Sequence, residues 1–223
     1  MSFEKHNLKA KSIHFRYKIE KQKFTLIVIF LLLKKTTVEN LYSLVIHPHE
    51  EILVLIKYMK EQLANEVGWY NSKNSVGHIT ICEFTATDAI IEVIKKQITQ
   101  LCDSLNPVNV HLNQFGSFPN GAFFIAPDNE SKKDLKHILK HFNKSLRLHN
   151  MKKSDNPHLT IARRLSPENL EKANQFFNAI DLDFVCDGVV LRQFDNDKKQ
   201  FFATDKFLFN DNPQPTLIQG TLF

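Results

Sequence analysis

Two histidines in matching surroundings are the residues of this sequence best suited to chemistry. His78 stands in Gly77-His78-Ile79-Thr80-Ile81 and His158 in Pro157-His158-Leu159-Thr160-Ile161, so the pattern His-apolar-Thr-apolar occurs twice. Strict alternation inside a β-branched run specifies a short strand with two different faces. Residues i and i+2 of a strand point the same way, which projects His78 with Thr80 and His158 with Thr160, while Ile79, Ile81, Leu159 and Ile161 turn to the opposite face. Imidazole titrates near neutrality, so two imidazoles facing one another can divide the acid and base roles of a proton-transfer reaction. A threonine hydroxyl two residues along the same face can donate a hydrogen bond to an oxygen on which charge accumulates.

One such tetrapeptide is ordinary strand packing. With ten His in the chain, two copies are expected by chance on the order of 0.01 times, which favours a paired site. Composition bounds what such a site can serve. The chain has 223 residues and a net charge of +5. Residues 1–37 hold nine Lys and Arg against two acidic residues, and the remainder holds 20 against 22. The basicity therefore lies in the leader, and the body lacks the charge excess that extended duplex binding requires. Cys82, Cys102 and Cys186 show no metal-ligand spacing and read as reduced, buried thiols of a cytoplasmic protein. No other Cys, His or carboxylate cluster suggests a metal, and no cofactor is implied.

The elements that position the two motifs follow from periodicity. Residues 1–37 form a basic and apolar extension whose run Phe24 to Leu33 is too short for a spanning helix, so no stable membrane insertion is expected. A domain over 38–212 opens with a strand at Leu41 to Ile46, and 213–223 form a tail. His47 and His49 flank Pro48 and mark a turn. Helices are predicted for Glu50 to Val67, Thr87 to Leu105, Ser131 to Leu148, and Ser166 to Ile180. Strands are predicted for Val108 to Phe115, Ala122 to Ala126, Phe184 to Phe194 and Phe201 to Phe209. Helices starting at 50 and 131, the histidines at 78 and 158, helices starting at 87 and 166 and strands starting at 122 and 201 are each about 80 residues apart, the signature of a duplication. The fold class expected is α+β: two pseudo-twofold-related lobes of largely antiparallel sheet, helices outside, and a central cleft holding both His-Thr pairs.

With both motifs in place over residues 40–210, the chain resembles the 2H phosphoesterase superfamily, which contains RNA 2′,3′-cyclic phosphodiesterases and the 2′-5′ RNA ligases. The resemblance implies that His78, Thr80, His158 and Thr160 carry the reaction without a metal, on RNA ends or cyclic nucleotides. It leaves open a 2′-5′ ligase-type activity and a non-catalytic protein that binds RNA ends or nucleotides. Alternation places Ala162 and Arg164 on the cleft side and Arg163 opposite, which makes Arg164 the expected phosphate contact, with a strand-end bulge favouring Arg163 instead. Phe115 is the candidate for stacking on a base, against a core role, and Phe118 flanks the same turn. Lys152 and Lys153 read as a solvated loop, and a monomer is expected.

Overall fold

The elements appear in the order β1 (Asn40–Ile46), α1 (Glu50–Val67), β2 (Ile79–Ala86), α2 (Asp88–Asp103), β3 (Val108–Phe118), β4 (Ala122–Pro127), α3 (Asn129–Ser145), β5 (Lys152–Lys153), β6 (Leu159–Ala162), α4 (Pro167–Phe176), β7 (Leu182–Cys186), β8 (Gly188–Asp195) and β9 (Gln200–Leu208). The computed structural model describes Lys23 and residues 38–146, 148 and 150–212; the expectations for the rest of the leader and for the tail lie outside the described residues. No helix among the described residues is long and apolar enough to cross a membrane.

Local chemistry sets most boundaries. Thr87 caps α2 by accepting from the Ile90 N–H, Asp128 caps α3 through the Ser131 N–H, and Ser166 caps α4 through the Asn169 N–H with Pro167 in the first turn. Asp128 thus starts α3 two residues before the expected Ser131. Helix α2 buries Ile91, Ile94, Ile98 and Cys102 on one stripe, and each fully buried isoleucine contributes about 1.5–3 kcal/mol. Ile98→Ala is the change that would hurt α2 most, because the residue is fully buried and the cavity left costs about 2–5 kcal/mol.

Three expectations shift. Strand β3 continues through Gly116 to Phe118, leaving Pro119, Asn120 and Gly121 for the hairpin turn; Gly121 takes φ 81° with the Leu165 carbonyl 2.3 Å from where a Cβ would lie, so only glycine fits. Helix α4 stops at Phe176, short of Ile180, because Phe177 turns under it to stack on Phe123 and pack at a tilt against Phe115. The strand expected over 184–194 is two strands broken at Asp187, β7 pairing with β3 and β8 with β1. Apolar alternation runs across the break, so hydropathy alone does not reveal it.

All pairings are antiparallel, and the sheet order is β7-β3-β4-β6-β2-β1-β8-β9, with β5 off this path on β2. The order is symmetric about the β6–β2 seam, where Ile79 pairs with Leu159. The matching strands are β6 with β2, β4 with β1 and β3 with β8. Strand β4 is therefore the counterpart of β1, so it opens the second repeat where the sequence spacing had it closing the first. Each repeat also lends a strand to the other's half of the sheet, β3 lying beside β4 and β8 beside β1. Helices α1 and α4 pack together, as do α2 and α3.

Both central strands carry the same irregularity. In β2, Thr80 pairs with Val45 and Cys82 with Leu44, leaving Ile81 as an extra residue. In β6, Thr160 pairs with Phe124 and Ala162 with Phe123, leaving Ile161 extra. A bulge after each threonine flips the side-chain alternation beyond it.

Candidate active site

The single bridge between Ile79 and Leu159 turns both of those residues into the core, where they are fully buried. Their neighbours His78 and Thr80, and His158 and Thr160, are thereby left on the other face, and the antiparallel register sets His78 toward Thr160 and His158 toward Thr80. His78 Nδ1 lies 2.7 Å from the Val76 carbonyl, and His158 Nδ1 lies 2.7 Å from the Asn156 carbonyl, in each case two residues back. A carbonyl only accepts, so each Nδ1 carries a proton and donates it, and each Nε2 is free to take or give one. The backbone thus sets both tautomers.

The frame is symmetric but its contents are not. Register places Arg192 opposite Ser43 on the His78 side and Phe118 opposite Ala122 on the His158 side, and these are equivalent positions. Arg192 is 4% exposed, its guanidinium lies 3.1 Å from His78 Nδ1, donates to Ser43 Oγ at 3.1 Å and sits 5.0 Å over the Phe201 ring. His158 instead meets Phe118 edge-on at 5.3 Å and Phe124 at 4.9 Å. Gly116 makes this possible, since a Cβ there would come within 2.7 Å of the Phe124 ring. Burial, then the Arg192 charge, hold His78 well below the usual imidazole range; burial also lowers His158, partly offset by its bond to Asn156, with only Arg163 nearby as a cation. A cation beside an imidazole disfavours imidazolium, whereas aromatic neighbours tolerate it.

A cavity of about 220 Å³ opens beside His78, lined by the 71–76 loop, Arg163, Arg164, Arg192, Lys199 and the ring pair Phe194 and Phe201, with Glu83 as its carboxylate. Lys60 on α1 holds the loop from below. It is 1% exposed, and its Nζ donates to the Ser72 carbonyl at 3.2 Å, the Ser75 carbonyl at 2.8 Å and Ser75 Oγ at 2.9 Å. Burial, with the Arg163 and Arg192 charges, brings its pKa down to about 7.

The structure brings His78, Thr80, His158 and Thr160 together and puts Arg164 at the cavity edge. Arg163 is there too, because the Ile161 bulge reverses the alternation, and its charge acts on both histidines. Phe115 is a correction. It lies on the other face, stacked at 5.4 Å on Phe123 and at 5.4 Å from Phe177, because it pairs with the core residue Ile125; the aromatic beside a histidine is Phe118. Arg192 and Lys60 were missed. A lysine at the i+4 position from Ile56 on a buried stripe, and an arginine in phase with Val190 and Phe194, were the available signals. Three groups unforeseen as a cluster, His111, Asp181 and Asp183, approach closely enough to hold a metal. They sit on the β3–β7 edge, not among the cavity's lining residues, and His111 is already engaged by Asp181 and then Asp128, which raise its pKa.

An antiparallel sheet of two halves with matching strand order, whose His-x-Thr strands meet at the central seam, defines an α+β protein of the 2H phosphoesterase class. The chain belongs to the 2′-5′ RNA ligase superfamily, whose family model matches residues 54–198 and so spans both motifs. The fold is similar to that of E. coli LigT in apo form, at 9% identity and a TM-score of 0.58 over 78% of this chain and 99% of that one. It is also similar to TT0787 of Thermus thermophilus, at 16% identity and a TM-score of 0.53 over 76% and 98%. LigT complexed with 3′-AMP matches at 9% identity and a TM-score of 0.56 over 77% and 99%. No curated protein matches the chain.

Proposed function

We propose that this protein opens 2′,3′-cyclic phosphodiesters of RNA ends or nucleotides by acid–base catalysis between its two histidines. The observation that carries the reading is the pair of His-x-Thr strands joined at Ile79 and Leu159, with both Nδ1 atoms tied to backbone carbonyls and both Nε2 atoms free. His78, beside Arg192, is the neutral partner: its Nε2 takes a proton from water as the water oxygen bonds to phosphorus. His158, among Phe118 and Phe124, is the imidazolium, and its Nε2–H gives a proton to the ribose oxygen as the P–O bond breaks, leaving a phosphomonoester. The negative phosphodiester itself raises the His158 pKa on binding. Thr80 and Thr160 donate to the non-bridging oxygens, and Arg163 balances their charge.

Four cations against one carboxylate suit an anion and form a poor oxygen cage for a divalent metal, which favours metal-independent chemistry. LigT, of the same fold, binds 3′-AMP, a phosphomonoester such as this opening yields. The same pair acting on a 5′-hydroxyl in place of water would bond that oxygen to phosphorus as the ring P–O bond breaks, joining a 5′-hydroxyl to a cyclic end, which is the ligase-type reading. Three buried free cysteines fit a reducing compartment, so we assign the protein to the cytoplasm.

The test is a panel of 2′,3′-cyclic mononucleotides, RNA with cyclic ends and 2′-5′ dinucleotides, assayed with chelator present. Expected are turnover with a bell-shaped pH profile, loss of most activity in His78→Ala and in His158→Ala, and a double variant little worse than either. Full activity in either single variant, or abolition by chelator with rescue by a divalent ion, overturns the mechanism.

A further inference from the structure

The cavity beside His78 holds more positive charge than the scissile group can use. One phosphodiester carries a single negative charge, yet Arg163, Arg164, Arg192 and Lys199 line the space against Glu83 alone. None of the four forms an ion pair among the described residues. Arg192 is buried and its Nε has no hydrogen-bond partner. Leaving a buried guanidinium nitrogen unpaired is costly, and a bound acceptor would remove that cost.

The backbone supports the same reading. Arg164 and Lys199 adopt φ 58° and 54°, left-handed values that non-glycine residues seldom take, and both side chains line this cavity. Lys199 follows a tight turn in which Asp195 Oδ1 accepts from the Asp197 and Lys198 N–H groups. Phe194 and Phe201 pack edge to face at 5.1 Å on the same wall and are part-exposed. At about 220 Å³ the cavity exceeds a single ion, since a water occupies about 30 Å³.

We infer that this cavity is a subsite for a second phosphoryl group and its attached nucleoside, with Lys199 and Arg164 on the phosphate and Phe194 and Phe201 against the base. The inference rests on the phosphodiester reading of the His pair and narrows it to substrates bearing two phosphates one nucleoside apart. That second phosphate has two sources: the 5′-phosphate of the cyclic nucleotide itself, or a terminal phosphate on the nucleotide across a 2′-5′ linkage.

Three measurements separate the outcomes. The first is the ratio of kcat/KM for adenosine 2′,3′-cyclic phosphate with and without a 5′-phosphate, and the second is the same ratio for a 2′-5′ dinucleotide with and without a terminal phosphate. We expect at least one ratio of about 10 to 100, the range for added charge-assisted hydrogen bonds. Whichever ratio is large identifies the source, and it should fall toward one in Lys199→Gln/Arg164→Gln, two exposed positions. The third is calorimetric binding of adenosine 3′,5′-bisphosphate against 3′-AMP, which needs no turnover. Tighter binding of the bisphosphate, lost in the double variant, supports the subsite even if no substrate is turned over, a result that would refute the catalytic reading alone. Equal affinities for the two nucleotides, with both ratios near one in an active protein, overturn the subsite.

Discussion

Lys60→Met asks whether a buried ammonium sits beneath the loop that leads to His78. The lysine has no carboxylate partner and only three neutral acceptors, all from Ser72 and Ser75, and its pKa falls from 10.5 to about 7. The folded pKa lies below the unfolded one, so between the two the unfolded chain binds the proton and the folded chain does not. Folding stability then rises with pH across that window, by up to about 1.4 kcal/mol per pH unit, and is flat on either side. From pH ~7.5 to pH ~9.5 the wild type should gain about 2.5 kcal/mol relative to Lys60→Met, which has no proton to lose at this position. Chemical denaturation of both proteins at the two pH values measures the difference, and the m-values show whether two-state unfolding holds. Parallel pH dependence in the two proteins would mean that Lys60 keeps an ordinary pKa through its three hydrogen bonds and stays an ammonium in the folded protein.

Thr80→Val and Thr160→Val keep a β-branched shape and delete a donor, so each should leave the fold intact by circular dichroism and lower turnover by roughly 10- to 1000-fold. Wild-type rates in both would reduce the threonines to strand formers. Arg192→Gln removes the cation beside His78; the His78 pKa should rise, and the acid limb of the pH–rate profile, set by loss of the neutral base, should move to higher pH. An unmoved limb would take His78 out of the base role. A chain beginning at Val38 should fold and keep the cleft activity, since β1 starts at Asn40 and the charge balance changes there; loss of cooperative unfolding would assign residues 1–37 to the core.

Residue types and spacing alone determined the catalytic candidates, the α+β class and the approximate period of the repeat. Those features are local: alternation, caps and helical stripes depend on near neighbours in the chain, and each motif histidine donates from its ring to a carbonyl only two residues back. The tertiary structure decided what depends on register. A bulge at Ile161 sends Arg163 to the cleft where unbroken alternation had sent Arg164, and pairing with Ile125 turns Phe115 into the core while Phe118 reaches His158. Arg192 lies 114 positions from His78, and only the β1–β8 pairing carries it across Ser43 to the imidazole. The asymmetry between a guanidinium beside one histidine and aromatic rings beside the other is long-range in sequence, and no periodicity within either repeat encodes it.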